Sequence, residues 1–437
     1  MENYKIACLG RVFFALLFFC GLSSFANAEL ITHDGLPNRE GVKADPLGSG
    51  LGDADLPNRK GVKIPPFTVH SAFNTEVQFD TNIFLEDNNP KFDVITILNP
   101  TVGAELPFSD NLISIDYDFS ANIFGRYYDE SFADHRLRGL LEINWTDFKL
   151  NVADIYRFFS DRSGTEDVDR IERQNNYMRA GIATTGFEQL EADVGYTFGI
   201  EDFRAKDIIY IDTSGNTMTY NDKDRYLNVF DASVSYRFLP KTSVIAREYL
   251  GFIDYPSGKN SDSWYTETMV GLKGDFREDF SMNIFGGFKY QDYSDGSLVS
   301  EENYAGPVVR GGFTYSITKD DKFDVLLERN IYESTFSNEN YYNVNHAGLN
   351  YTHYFNRKLS GRVFGYYQLN LYPSDALDNG ESKKRHDHIF GGGVGLRYDI
   401  QEWSAIEVRY GYKQKESNFG TFDYIDNLVS IRASVGF

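Results

Sequence analysis

The feature that most constrains the fold is an alternation of apolar and polar residues, which recurs along the chain in stretches of about ten residues. In "ISIDYDFSANI" (113–123), every odd-numbered residue is Ile, Tyr, Phe or Ala, and every even-numbered residue is Ser, Asp or Asn. The segments "EADVGYTFGIE" (191–201) and "IEVRYGYK" (406–413) follow the same rule. Because successive side chains of a β-strand point to opposite faces, this pattern predicts strands with one apolar face and one polar face.

The connections between these segments are of two kinds. Short ones such as "PFSDN" and "LPKTS" alternate with long ones such as "YSDGSLVSEEN", and about eighteen strands result, with sixteen as the alternative. Strands in soluble sheets average about five or six residues, whereas about 9 to 11 tilted residues cross a hydrocarbon layer. The sequence therefore predicts an all-β fold, a transmembrane antiparallel up-and-down β-barrel over residues 67–437. A soluble sandwich is less favoured because each apolar face would need a second sheet.

The first 28 residues are predicted to be a signal peptide. Lys5 and Arg11 precede the apolar run "VFFALLFFCGL", and an Ala-x-Ala site ends at Ala28. Both cysteines, Cys8 and Cys20, lie in this segment, so we expect a mature chain without disulfides or thiolates. The formal net charge of −21 makes nucleic acid a poor partner.

Residues 29–66 differ from the rest in being rich in Gly, Pro, Asp and Asn. They contain a duplication, "LPNREGVK" (36–43) and "LPNRKGVK" (56–63). So few apolar groups cannot offset the cost of ordering the chain, which predicts a flexible periplasmic tether. A docking peptide for a periplasmic partner and a flap entering the pore are the alternatives.

The last segment, "VSIRASVGF" (429–437), is predicted to close the barrel by pairing with the first strand, because closure removes both sheet edges. The terminal Phe437 resembles the signal by which outer-membrane barrels engage the barrel assembly machinery. We expect it to serve as the assembly signal.

The polar face of the strands is predicted to line the lumen. Its charges are of both signs, so they could let hydrated solutes pass or could pair across strands and stiffen the wall, and the two roles are compatible. The predicted pore-lining residues are Asp116, Asp118, Arg126, Glu142, Glu191, Asp193, Asp231, Arg237, Glu267, Lys273, Arg310, Glu328, Arg362, Arg397, Asp399, Glu407, Arg409 and Arg432.

Other candidate sites are few. "HDH" (386–388) places two imidazoles on one strand face, but no third ligand is near, so ordinary polar residues at the outer rim are predicted, with no metal and no cofactor. The chain has no "GxSxG" elbow and no phosphate loop, so we expect no enzyme activity. Tyrosines near strand ends are predicted to form an interfacial girdle, with sugar binding as the alternative: Tyr127, Tyr128, Tyr255, Tyr265, Tyr290, Tyr293, Tyr332, Tyr341, Tyr342 and Tyr372.

The segment "FDTNIFLED" (79–87), followed by Asp93 and "ILNPTVGAEL" (97–106), resembles the second putative beta-barrel porin family. The resemblance implies an outer-membrane barrel of a Gram-negative-type envelope, reached by secretion across the inner membrane and linked with exopolysaccharide export. It supplies no catalytic residues. The expected partners are outer-membrane lipid, the assembly machinery, and polysaccharide or periplasmic export components. The expected function is a passive pore, and the alternative is a surface-presenting barrel with a blocked lumen that binds a partner through its loops.

Overall fold

The computed structural model describes residues 61–436, except 163–165, 167–169, 213, 295, 297, 300–301 and 379–380. The predicted signal peptide, nearly all of the predicted tether and the predicted assembly signal Phe437 lie outside the described residues. The last residues of the predicted tether are described. They include a short strand, Val62–Ile64, which pairs with the segment Phe67–Val69.

Eighteen long strands follow one another along the described chain. They are β1 (Phe67–Asp80), β2 (Asp93–Phe108), β3 (Asn111–Phe124), β4 (Phe132–Asn144), β5 (Phe148–Arg162), β6 (Arg170–Thr184), β7 (Leu190–Phe203), β8 (Arg225–Leu239), β9 (Thr242–Asp254), β10 (Ser263–Arg277), β11 (Phe280–Tyr293), β12 (Tyr304–Thr318), β13 (Asp321–Glu333), β14 (Tyr341–Tyr354), β15 (Leu359–Asp378), β16 (Glu381–Gln401), β17 (Ser404–Ser417) and β18 (Tyr424–Gly436).

Each strand pairs antiparallel with the next, and the sheet closes on itself. β1 pairs with β18 from Ala72↔Gly436 to Asp80↔Leu428, so neither strand keeps a free edge. The prediction of a closed antiparallel barrel with about eighteen strands is confirmed. Two further short strands, Ile208–Ile211 and Thr217–Thr219, form a separate hairpin in the connection between β7 and β8.

The two ends of the barrel differ. The turn end carries tight connections, such as Ser109–Asp110 between β2 and β3, and both the start of β1 and the end of β18 lie there. The loop end carries the long connections, such as residues 204–224 between β7 and β8. In outer-membrane barrels the short turns are periplasmic and the longer loops extracellular.

The alternation separates the two faces of the wall. On β1, Asn74, Glu76 and Gln78 are buried, whereas Phe73 before this run and Phe79 after it are exposed. Exposed aromatic residues such as Trp145 and Trp403 lie at the turn end, where such barrels carry an aromatic girdle. The outer face is therefore apolar and the inner face polar, as expected for a wall between lipid and water. Among the described residues, no helix is long and apolar enough to cross a membrane.

Some predicted boundaries are wrong. The alternation predicts a strand over 111–128, but β3 ends at Phe124. It also predicts strands over 358–373 and 386–400 with a polar loop between them, but β15 extends to Asp378 and β16 begins at Glu381. The polar segment that was expected to be a loop is therefore mostly a paired hairpin, with a shift of register between Leu371 and Asp375 next to Pro373. Proline cannot donate to a strand ladder, which accounts for an irregularity there.

Candidate functional site in the barrel lumen

The charged residues that were predicted to line the lumen lie, with one exception, on the inner face of the wall. Those on the inner face are Asp116, Asp118, Glu142, Glu191, Asp193, Asp231, Arg237, Glu267, Lys273, Arg310, Glu328, Arg362, Arg397, Asp399, Glu407, Arg409 and Arg432. The exception is Arg126. It follows the end of β3 in an exposed loop, where its backbone N–H donates to Asp93 (2.8 Å). The prediction for Arg126 is wrong because the strand ends two residues earlier, at Phe124.

Many inner charges pair across neighbouring strands. The Arg179 guanidinium on β6 contacts Asp193 on β7 (2.5 Å) and Asp231 on β8 (2.6 Å). Arg310 on β12 lies 3.1 Å from Glu267 on β10. These pairs hold several strands to one another through their side chains as well as through the backbone ladder.

Seven of the tyrosines predicted for the girdle are instead buried inside the barrel near the loop end: Tyr255, Tyr265, Tyr293, Tyr332, Tyr341, Tyr342 and Tyr372. The girdle prediction is wrong for these residues. For Tyr265 the sequence does contain a signal, because it lies two residues from Glu267 and therefore shares the polar face of β10.

The tyrosines are buried because the hairpin of β13 and β14 bends inward. The pairing of β12 with β13 stops at Val309↔Arg329, whereas β13 goes on pairing with β14 as far as Glu333↔Tyr341. Every residue from Asn330 to Thr335 is buried, on both faces of the strand. This hairpin no longer pairs with β12, and both of its faces are covered by other residues. It therefore lies in the lumen rather than in the wall. We refer to residues 330–344 as the inward hairpin.

A residue from the opposite side of the barrel holds the tip of the inward hairpin. The Glu166 carboxylate accepts hydrogen bonds from the Ser334 hydroxyl (2.5 Å), the Thr335 N–H (2.7 Å) and the Thr335 hydroxyl (2.9 Å). The Glu166 carbonyl accepts from Arg385 (2.9 Å) on β16 and Lys415 (2.8 Å) on β17. Since Glu166 follows β5, this set of contacts crosses the lumen.

Glu333 fixes the inward hairpin to the wall on its other side. Its carboxylate accepts from the hydroxyls of Tyr255 (2.6 Å) and Tyr293 (2.9 Å) and from the amide of Gln291 (2.9 Å). All four groups are buried. A buried carboxylate with three donors is well satisfied, so the hairpin is anchored on both sides.

The long loops add two ionisable groups to the tip. The Lys223 ammonium, in the loop between β7 and β8, donates to the Glu339 carbonyl (3.1 Å) and to Asn260 (3.4 Å). Burial lowers the pKa of Lys223 to about 8. Burial likewise raises the pKa of Glu339, whose carboxylate accepts from the Ser374 N–H, to about 7. Both groups therefore titrate near neutral pH.

The inward hairpin does not cover the whole lumen. On β10, β11 and β15 the inner side chains of Glu267, Lys289 and Gln368 are buried. On β4, by contrast, Arg136 and Arg138 keep 28% and 25% of their side-chain surface accessible. Arg157, on the inner face of β5, is exposed. Accessible inner surface is therefore found along β3 to β5.

Within the described part of the chain, no group of three or more His, Cys, Asp or Glu side chains is placed to hold a metal ion. His386 and His388 lie on the outer face of β16, and His388 is 2.8 Å from the Tyr367 hydroxyl. Asp387, between them, points inward to Arg385 (2.7 Å).

Comparison with known proteins gives one family and a set of solved structures. Residues 57–437 match the family described as "Putative beta-barrel porin 2". No curated protein matches the chain.

The similar solved structures are outer-membrane proteins. The outer membrane protein OpdK of Pseudomonas aeruginosa has a TM-score of 0.47 and 10% identity, over 84% of this chain and 99% of that one. OccK2 (OpdF) of the same organism, solved with glucuronate, has a TM-score of 0.48 and 8% identity, over 84% of this chain and 98% of that one. OccAB4 of Acinetobacter baumannii has a TM-score of 0.44 and 13% identity, over 84% and 98%.

Proposed function

Because the chain belongs to the putative beta-barrel porin 2 family, an outer-membrane β-barrel family, we propose that it is a passive channel through which hydrophilic solutes cross the outer membrane by way of the polar lumen. Family members are named as porins, which are channels rather than enzymes. The observation that carries the proposal is the accessible, polar inner wall along β3 to β5, beside the inward hairpin. An eighteen-stranded barrel is wide enough to enclose an aqueous channel.

The inward hairpin favours a second candidate function. If the tip fills the lumen completely, the barrel would present its long loops to a partner at the cell surface and conduct nothing. The contacts of Glu166 and Glu333 with the hairpin and its surroundings support this alternative.

Single-channel recording in planar bilayers separates the two candidates. A passive channel gives ohmic current steps in potassium chloride, and liposomes that contain it swell in solutions of small sugars. A blocked barrel gives neither signal. Shortening the inward hairpin, by replacing Ser334–Asn340 with a two-residue turn, is the matched control. This variant should give a large steady current whether the wild-type lumen is narrow or closed. Such a current shows that the barrel inserts into the bilayer, so that silence of the wild type can be read as a blocked lumen.

The nature of the solute is a separate question. Export of polysaccharide, contact with periplasmic export components and recognition of Phe437 by the assembly machinery remain predictions from the sequence. Deleting Phe437 and measuring the fraction of protein in the outer membrane tests its recognition by the assembly machinery. A strain that lacks the whole protein and still releases its extracellular polysaccharide would contradict a role in polysaccharide export.

A further inference from the structure

We propose that the accessible inner wall on β3 to β5 is a docking site for the oxyanion group of a solute, formed by Arg136, Arg138 and Arg157. The chemical class is a small solute that carries a carboxylate, sulfate or phosphate group. The inference rests on the proposed channel function, because it supposes that solutes reach this surface.

Two of these guanidinium groups occupy an unfavourable arrangement in the empty wall. Arg136 and Arg157 are directly opposite each other on β4 and β5. Like charges directly opposite on neighbouring strands are destabilising. The Arg157 guanidinium lies 4.2 Å from the centre of the Phe159 ring, and none of the described carboxylates lies within ion-pair distance of it. A bound anion between the two strands would remove the repulsion.

The carboxylates near the site lie behind the guanidinium groups. Asp118 on β3 contacts Arg136 (2.7 Å) and lies 3.8 Å from Arg138. Its side chain is 8% accessible, against 28% for Arg136 and 25% for Arg138. A solute in the lumen therefore meets the cations before it meets their counter-ion.

Two further carboxylates lie on the same wall. Asp116 on β3 is directly opposite Arg138 on β4, and it also lies over Gly103 on β2. Asp134, the next inner residue beyond Arg136 on β4, accepts the Ser160 N–H (2.9 Å). Arg138 therefore has carboxylates on β3 as counter-ions, whereas the Arg157 guanidinium packs on Phe159.

The geometry of the guanidinium group suits oxyanions. It is planar, always charged and able to donate two parallel hydrogen bonds to a carboxylate, sulfate or phosphate. The inward hairpin enters the lumen from β13 and β14, and the three arginines lie on the inner face of β4 and β5. On the proposed channel function, a solute in the lumen can therefore contact this surface.

The first test is ion selectivity in planar bilayers under a gradient of potassium chloride. We expect the wild type to prefer chloride, and the Arg157→Gln and Arg136→Gln variants to lose about half or more of that preference, since each removes one accessible charge. Arg277→Gln is the matched control. Arg277 ends β10 at the turn end, is not among the pore-lining residues, and contacts Asp279 (2.7 Å). An unchanged reversal potential in both site variants overturns the proposal.

The second test is direct binding of inorganic sulfate to the detergent-solubilised barrel, measured by isothermal titration calorimetry. We expect heat of binding for the wild type and for Arg277→Gln, and none for Arg157→Gln, with unchanged circular dichroism showing that all three are folded. Saturable binding in a barrel that carries no current would leave the site standing and refute the channel. Current without anion preference and without sulfate binding would support the channel and refute the oxyanion site.

Discussion

Thr335 and Glu166 are 169 residues apart in the sequence, yet Thr335 donates both its N–H (2.7 Å) and its hydroxyl (2.9 Å) to the Glu166 carboxylate. Glu166 belongs to the connection after β5, and Thr335 to the tip of the inward hairpin after β13. The pair therefore joins two sides of the barrel across its interior. It holds the tip in the lumen. Its removal should therefore lower the stability of the tip and widen the passage.

Replacing Glu166 by alanine should loosen the tip. Hydrogen bonds to a charged acceptor each contribute about 1.5–3 kcal/mol, so we expect the local free energy of opening to fall by about 3 kcal/mol or more. Hydrogen exchange at residues 334–340 should quicken, and the single-channel conductance should rise. Asp87→Ala, in the exposed first long loop, is the control. Equal exchange rates in the two variants would show that the tip is held by other contacts.

The stability of the tip should depend on pH in two opposite ways. Glu339 has a pKa of about 7 in place of 4.5, so the folded tip binds more protons than the unfolded one between these values, and stability falls as the pH rises from 4.5 to 7. Lys223 has a pKa of about 8 in place of 10.5, so the folded tip binds fewer protons there, and stability rises from pH 8 to 10.5. Stability should therefore be lowest between about pH 7 and 8.

Hydrogen exchange of the tip amides, corrected for the intrinsic effect of pH, measures this minimum. Glu339→Gln should abolish the fall on the acid side, and Lys223→Met should abolish the rise on the alkaline side. A flat profile in the wild type would contradict the buried, ionisable state of both groups.

Replacing Glu76 by alanine should weaken the seam between the first and last strands. Its carboxylate contacts Arg432 on β18 (2.6 Å) and Arg409 on β17 (3.3 Å), and all three side chains are buried. Leaving a buried charge without its partner costs about 3–5 kcal/mol. Equilibrium unfolding in guanidinium chloride, in detergent micelles, measures the loss. The double variant Glu76→Ala, Arg432→Met should recover part of the lost free energy of unfolding. Strictly additive losses would show that Glu76 and Arg432 do not interact.

Replacing Glu248 by leucine should stabilise the barrel. Glu248 lies on the outer face of β9 with exposed Leu250 and Val270 near it, and its carboxylate accepts from the hydroxyls of Thr266 and Thr268. A carboxylate on the lipid face is unfavourable, by up to about 2 kcal/mol near the middle of the bilayer. We expect a gain of about 1 kcal/mol in the free energy of unfolding in lipid vesicles. Leu250→Glu, on the same face, should lose stability, and a loss for Glu248→Leu would place that face against protein rather than lipid.

The wall of the barrel was predictable from the sequence because one local rule produces it. Each strand alternates apolar and polar residues, and a two-residue period fixes which side chains point to the lipid. This is why the strand predicted from "EADVGYTFGIE" (191–201) lies within the observed Leu190–Phe203, and why Asp193 and Asp231 were assigned to the inner face. The assignment of Arg126 to the lumen was wrong because alternation does not mark where a strand ends.

The contents of the lumen were not predictable in the same way. The inward hairpin depends on where β13 separates from β12 after Arg329, and on contacts such as Glu166 with Ser334 that join distant parts of the chain. Nothing in the local pattern of "LLERNIYEST" distinguishes a strand that stays in the wall from one that leaves it. The position of the accessible inner wall, at Arg136 and Arg157, depends on that insertion. It could not be predicted from the local pattern either.

Closure between β1 and β18 has a consequence for biogenesis. The two strands that complete the ring are the first and the last of the barrel in chain order, so a barrel that lacks either strand has two unpaired edges. Such an incomplete barrel can pair with another chain through those edges, and the ring is complete only when β18 meets β1.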